Sequence, residues 1–172
     1  ELTRRLRGMV NDVVAVLRDE QTGATFQLTC ADVVEIVRAK VQAEAEQRGV
    51  EVAVTATEEV SFSGRRANLV TLVLRNLVQN ALEASPRGGR LHLRGRAASE
   101  GRLEFLVEDG GPGLPEIVKA NLFQPCPSSK QGGSGLGLAL SQRLAQQARG
   151  RLELVRSDER GTSFRLVLEA EA

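Results

Sequence analysis

The sequence lacks several residue types that define common functional classes. It has no tryptophan or tyrosine, one histidine and two cysteines, and aromatic residues make up 3% of its 172 residues. Cys30 and Cys126 alone cannot build a disulfide scaffold or a Cys/His zinc site. A formal net charge of +1 and the shortage of aromatics argue against nucleic-acid binding. No apolar run approaches the roughly 18 residues of a membrane span, and no signal-peptide pattern opens the chain. We expect a cytoplasmic chain without membrane contact of its own, whatever anchors a longer protein.

The residues that are present favour one domain with an appended element. Hydrophobic residues make up 41% of the chain, which is enough for a substantial core. Helical periodicity with capping residues alternates with short strands of period two. This pattern predicts an α/β (α+β) two-layer sandwich, in which a mixed, mostly antiparallel sheet of about five strands packs on about three helices. The helices are predicted at about 29–48, 65–84 and 137–148, and the strands at about 50–55, 91–93, 103–108, 152–155 and 164–168.

The first segment carries an apolar stripe with the spacing of a helical seam. Leu2, Leu6, Met9, Val13 and Val16 are spaced four, three, four and three residues apart. One interpretation is an amphipathic helix packed on its own domain. The other is the end of a longer dimerisation helix. We place a boundary between residues 1–22 and 23–172.

Two asparagines and a glutamate share one face of the helix predicted at about 65–84. Asn76, Asn80 and Glu83 follow the i, i+4, i+7 spacing. Asparagine is a mediocre helix former, so two in mid-helix call for a reason. They are either exposed surface amides or oxygen ligands for a hard cation such as Mg²⁺.

Two glycine-rich segments follow. Asp109-Gly110-Gly111-Pro112-Gly113 comes directly after an apolar strand, either as an ordinary turn or as a carboxylate placed to accept an exocyclic amine. Gly132-Gly133-Ser134-Gly135-Leu136-Gly137 opens a helix, where backbone N–H groups and the helix dipole favour phosphate. The Walker and dinucleotide patterns both fail here, because Leu follows Gly135 and Gly137, and Leu140 stands where Gly or Ala is needed.

Taken in order, these segments resemble the ATP-binding domain of sensor histidine kinases. That family shares a superfamily with gyrase, heat-shock chaperones and MutL-type ATPases. The resemblance covers about residues 26–168, and the segment 85–93 resembles nitrogen-regulator-type sensor kinases. Its four motifs are similar to the asparagine box (76–81), the first glycine box (109–115), the phenylalanine box (122–125) and the second glycine box (133–140).

The resemblance implies binding of ATP and Mg²⁺ beneath a lid, with a role for each matching residue. Asn80 would coordinate Mg²⁺, Asn76 would support the phosphate end, and Asp109 would hydrogen-bond the adenine amine. Lys130, in the lid, would neutralise the γ-phosphate. The remaining nucleotide-binding residues would be Gly111, Gly113, Phe123, Gly133, Ser134, Gly135, Leu136 and Gly137.

The residue at position 76 distinguishes phosphoryl transfer to a protein from hydrolysis of ATP. Hydrolytic members of the superfamily are expected to carry a glutamate there as general base, and an amide cannot take that proton. The residue therefore favours a protein-histidine kinase over an ATPase switch of the gyrase or MutL type.

The resemblance also implies partners that this chain does not contain. Family members phosphorylate a histidine on a dimerisation hairpin and pass the phosphoryl group to an aspartate of a response regulator. His92 lies in a predicted strand, on the outer face of the sheet, and matches no acceptor motif. The seam at residues 2–16 fits the second helix of such a hairpin, so we expect a homodimer and an acceptor upstream.

The chain departs from the family at two places. The lid reads Cys126-Pro127-Ser128-Ser129 where the family usually has two aromatics and two threonines, and Ala148-Arg149 stands where a His-Gly pair is common. The altered lid leaves a third hypothesis open, a degenerate module that binds a nucleotide or a partner without catalysis.

Overall fold

The computed structural model describes residues 27–57, 60–124 and 136–170. Its α-helices are α1 (Cys30–Arg48), α2 (Gly64–Ala84), α3 (Glu116–Ala120) and α4 (Gly137–Gln147), with one 3₁₀ turn at Ser99–Gly101. Its strands are β1 (Gln27–Thr29), β2 (Glu51–Ala56), β3 (Ser61–Ser63), β4 (Arg90–Ala97), β5 (Leu103–Glu108), β6 (Gly150–Asp158) and β7 (Gly161–Leu168). The helix suggested by the apolar seam at residues 2–16 lies outside the described residues.

Five of the strands form one mixed sheet in the order β2-β4-β5-β7-β6. β2 pairs in parallel with β4, and every other pair in this sheet is antiparallel. The three long helices cover one face of the sheet, and the predicted two-layer sandwich is confirmed. A small antiparallel sheet of β1 and β3, not predicted from the sequence, is also present.

α1 begins and ends as its sequence predicts. Thr29 and Asp32 form a capping box, in which the Thr29 side chain accepts from the Asp32 backbone and the Asp32 carboxylate accepts from the Thr29 backbone. The Thr29 backbone N–H and the Thr29 hydroxyl both donate to the Asp32 carboxylate, and these two hydrogen bonds lower the pKa of Asp32. Gly49 ends the helix in the left-handed region, at φ 64°.

The core lies between the helices and the covered face of the sheet. α2 is its central element and buries residues on most of its circumference, from Gly64 to Leu82. Phe62 and Phe105 meet edge to face with ring centroids 6.4 Å apart. Burial raises the pKa of the Cys30 thiol to about 11, so this cysteine is a neutral core residue.

The other face of the sheet carries charged side chains. Glu104 and Glu108 of β5 point to this face, because Leu103, Phe105 and Val107 alternate with them and are buried. His92 of β4 also lies there, between the buried Leu91 and Leu93, as predicted. Within the described residues, no helix is both long enough and apolar enough to cross a membrane.

Candidate functional site

The middle of α2 is joined to the first turns of α4 by a buried polar contact. Asn76 is 3% exposed, and its Nδ2 donates to Oγ of Ser141 at 2.9 Å. Ser141 is fully buried. A Cβ on Gly137 would lie 2.9 Å from Oδ1 of Asn76, so any other residue there would have to displace this buried amide. Asn76 is therefore a packing residue of the α2–α4 interface as well as a member of the asparagine box.

Asn80 lies one turn further along α2 and is half-buried, as is Glu83. Neither is the fully exposed surface residue of the alternative interpretation. Asn80 and Glu83 each take part in at least one polar or electrostatic interaction. Asn80 thus occupies the stretch of α2 between the contact with α4 and the end of the helix at Ala84.

The Asp109 carboxylate is anchored by two backbone donors. Its Oδ1 accepts from the N–H of Gly111 at 2.8 Å and from the N–H of Thr162 at 3.2 Å. The backbone N–H of Asp109 in turn donates to the Thr162 carbonyl at 2.9 Å. An ionised carboxylate can accept about four hydrogen bonds, so this anchoring is compatible with acceptance from a ligand amine.

Two of the glycines after Asp109, Gly111 and Gly113, are needed by the close packing of the chain on itself. A Cβ on Gly111 would lie 2.8 Å from the Ala84 carbonyl oxygen. Gly113 has φ 79°, and a Cβ there would lie 2.5 Å from the Asp158 carbonyl oxygen. The contact of Gly111 with Ala84 joins the Asp109 turn to the C-terminal end of α2, so the two predicted clusters meet there.

The structure thus joins Asn76, Asp109, Gly111 and Gly137 through α2. Phe123 is partly buried and packs against the core, and Leu136 is 39% exposed immediately before α4. Lys130, Gly133, Ser134 and Gly135 lie outside the described residues, as do Cys126 and Pro127.

Two residues of the site, Ser141 and Thr162, were not predicted from the sequence. Ser141 lies four residues after Gly137, on the same helix face, and Thr162 directly follows the glycine of the last hairpin.

Binding of Mg²⁺ at this site would require oxygen donors from the protein. Within the described residues, no group of three or more His, Cys, Asp or Glu side chains could hold a metal ion. Mg²⁺ bound with a nucleotide uses phosphates and waters for most of its ligands, so one amide oxygen on α2 is a sufficient donor set. The resemblance predicts Asn80 for that role, and the structure places Asn80 half-buried on α2.

A family model described as "Histidine kinase-, DNA gyrase B-, and HSP90-like ATPase" matches residues 65–172. This chain belongs to that family. The match begins at α2 and includes every element of the site. It confirms the family expected from the four motifs, with the ATP binding that the family name states.

The relatives of this chain include sensor kinases. It is 41% identical over 91 residues to the sensory histidine kinase/phosphatase NtrB of Klebsiella oxytoca, a match that covers 47% of this chain and 26% of that protein. It is 28% identical over 169 residues to the alginate biosynthesis sensor protein KinB of Pseudomonas aeruginosa, covering 95% and 28%. The chain spans about a quarter of the length of these relatives.

Solved structures show the same fold. The mycobacterial sensor histidine kinase MprB superposes with a TM-score of 0.70 at 26% identity, covering 84% of this chain and 97% of that one. The catalytic domain of histidine kinase ThkA gives a TM-score of 0.72 at 21% identity, covering 85% and 95%. The fold is therefore that of a histidine kinase catalytic domain.

Proposed function

We propose that this chain is the catalytic, ATP-binding part of a sensor histidine kinase, which transfers the γ-phosphoryl group of Mg·ATP to a histidine outside residues 1–172. The observation that carries the proposal is the anchored Asp109 carboxylate beside the end of α2, in a chain whose family binds ATP. The kinase names of the relatives support phosphoryl transfer as the reaction.

In this proposal each part of the site has a separate task. Asp109, held by the N–H groups of Gly111 and Thr162, accepts a hydrogen bond from the adenine amine. Asn80 offers its amide oxygen to Mg²⁺, which neutralises phosphate charge when it is bound. The N-terminal turn of α4, from Gly137, presents backbone N–H groups and the positive end of a helix dipole to the phosphates.

The proposed roles of the lid complete the site. Lys130 would neutralise the γ-phosphate, and Gly133, Ser134 and Gly135, with Leu136, would line the triphosphate. The acceptor imidazole then attacks phosphorus, a P–N bond forms as the bond to the bridging oxygen breaks, and ADP leaves. Such transfer needs positioning and charge stabilisation more than a base on this chain.

The position of Asn76 supports transfer over hydrolysis. Its amide donates to Ser141 in a buried contact, and it offers no base to an attacking water. We therefore rank an ATPase switch of the gyrase or MutL type below the kinase.

The proposal extends to the rest of the longer protein. Residues 1–22 would be the end of the second helix of a dimerisation hairpin, so the protein would be a homodimer that works in the cytoplasm. The phosphoryl group would go on to an aspartate of a response regulator. One structural neighbour, ThkA, is described in complex with the response regulator protein TrrA.

Phosphoryl transfer is tested by incubating the longer protein with γ-labelled ATP and Mg²⁺, with an Asp109→Asn variant in parallel. The proposal predicts acid-labile, alkali-stable label on the unmodified protein and a strong loss in the variant. Release of inorganic phosphate without protein label would establish the ATPase instead. Nucleotide binding with neither product would establish the degenerate module.

A further inference from the structure

Arg66 is a buried cation near the start of α2. The residues that it contacts lie more than 80 positions away in the sequence. It is 6% exposed. Its Nε donates to the Ala148 carbonyl at 2.7 Å, and its Nη2 donates to the carbonyls of Arg149, at 3.4 Å, and Glu169. One guanidinium therefore joins the start of α2, the end of α4 and the residue after β7.

The three acceptors explain how a charge is tolerated at this depth. Burial of an unpaired cation is costly, but hydrogen bonds to it offset that cost. Ala148 caps the C-terminal end of α4 and Arg149 follows it, at the end of the helix where carbonyls lack intrahelical donors and the helix dipole is negative. Arg149 itself turns the chain out of the helix at φ 51°, and its carbonyl also accepts from the N–H of Glu169.

Arg66 and the Asn76–Ser141 pair attach α4 to α2 at two separate points. On α2 the two residues are about ten positions apart, or roughly 15 Å at the helical rise of 1.5 Å per residue. On α4 the order is reversed, because Arg66 contacts the end of the helix and Asn76 contacts its beginning. The helices are thus antiparallel, with a polar attachment at each end of their contact.

We propose that Arg66 is a positioning residue for nucleotide binding, because it fixes the register of α4 on α2 and so the place of Leu136 and Gly137 relative to Asn80. The inference depends on the ATP site proposed above. Apolar packing through Leu144 and Ala145 holds α4 against the core but is not directional. Two polar attachments far apart add the directional contacts that fix the angle and the register of α4 on α2. The hydrogen bonds that Arg66 donates to Ala148, Arg149 and Glu169 all run to residues outside the proposed nucleotide site, so its effect passes through α4.

Two substitutions of Arg66 test this role. Arg66→Lys keeps the charge but loses the planar fork of donors, and Arg66→Met removes both. Dissociation constants for Mg·ATP are measured by calorimetry at a temperature where circular dichroism shows each variant to be fully folded. We expect ATP binding to weaken about tenfold in Arg66→Met and less in Arg66→Lys, a size typical of coupling between separated sites.

Arg65→Met is the matched control, because Arg65 is the preceding residue of the same helix and its side chain is exposed. This control should bind ATP like the unmodified chain. A lower melting temperature in both Arg66 variants with an unchanged dissociation constant would show a purely structural role and overturn the proposal. Should Arg66→Met fail to fold, Arg66→Lys decides alone.

A double-mutant cycle with Ser141→Ala tests the coupling between the two attachments. If both act on ATP through the position of α4, the double variant Arg66→Lys/Ser141→Ala deviates from additivity in binding free energy. Additive effects across this distance would contradict the proposal. Failure of the ATP site itself is distinguishable, since then the unmodified chain does not bind Mg·ATP.

Discussion

The two faces of the five-stranded sheet use polar side chains in opposite ways. On the covered side, a few buried groups make contacts between elements far apart in sequence, as Asn76 does with Ser141 and Arg66 with Ala148. On the open face, ion pairs run across neighbouring strands, as Glu104 of β5 pairs with Arg96 of β4 and Arg165 of β7, and Arg165 with Glu153 of β6. The position of a polar contact, more than the number of such contacts, therefore decides what it contributes to stability.

Physical chemistry explains the contrast. A buried donor or acceptor that loses its partner bears the full cost of desolvation, about 1–3 kcal/mol. An exposed ion pair exchanges one solvated arrangement for another and contributes about 0–1 kcal/mol. Substitution of polar side chains on the open face should therefore cost little stability, whereas substitution of the buried polar groups on the covered side should cost more.

The largest effect is expected where β7 begins, against the Asp109 turn. Gly161 has φ 126°, and a Cβ there would overlap the Asp109 carbonyl oxygen. Gly161→Ala should lower the free energy of unfolding by on the order of 4 kcal/mol or more, since backbone must move. Gly88→Ala is the control: its φ is 79° with no atom within 4 Å of a Cβ, so only the left-handed cost of about 1–2 kcal/mol applies. Equal losses in urea unfolding would refute the role of the overlap.

A smaller effect is expected from Ser141→Ala. The substitution removes the acceptor of the buried Asn76 amide at 2.9 Å, so we expect a loss of about 1–3 kcal/mol in the free energy of unfolding. Ser99→Ala changes an exposed serine and should stay within about 0.5 kcal/mol. Denaturant titrations of both variants measure the difference. A neutral Ser141→Ala would mean that this contact is not an attachment.

A still smaller loss of stability is expected from the exposed capping box of α1. Thr29→Ala removes a side chain that bonds the Asp32 backbone and carboxylate, and the expected loss is about 1 kcal/mol at pH 7. The folded pKa of Asp32 is lowered. The carboxylate part of this stabilisation is therefore present above the unfolded pKa of about 4 and lost as pH falls through the folded value. Urea unfolding at pH 7 and pH 3 should show the gap between the two proteins narrow at pH 3; a wider gap there would contradict the assignment.

The smallest effect is expected on the open face. Arg165→Gln breaks the pairs with Glu153, at 2.7 Å, and Glu104, at 3.9 Å, yet we expect a loss below about 1 kcal/mol that shrinks in high salt. ATP binding should not change. A loss as large as that of Ser141→Ala would break the comparison between the faces.

Much of this structure could be predicted from the sequence, because local patterns determined it. Thr29, Asp32 and Gly49 mark the ends of α1 by their own side-chain and backbone preferences, and alternation marked β5 through Leu103, Phe105 and Val107. The strands β1 and β3 have three residues each, too few for a period to be recognised.

The parts of the site that escaped prediction are long-range pairs. Ser141 and Thr162 bond residues 65 and 53 positions away, and no local pattern contains that information. Arg66 looks like a surface arginine beside Arg65, although it shares the helical stripe of Val70, Val73 and Leu77. That spacing is the one sequence feature that could have placed it inside.

The most direct test of the central claim is a calorimetric titration of Mg·ATP into this chain and its Asp109→Asn variant. Asparagine keeps the size and an acceptor oxygen for Gly111 and Thr162, but it removes the charge. We expect saturable binding by the unmodified chain and a loss of affinity of at least about tenfold in the variant, as expected for a charged hydrogen bond. Equal binding by both would contradict the assignment of Asp109 as the adenine ligand, and absence of binding by the unmodified chain would contradict the ATP site itself.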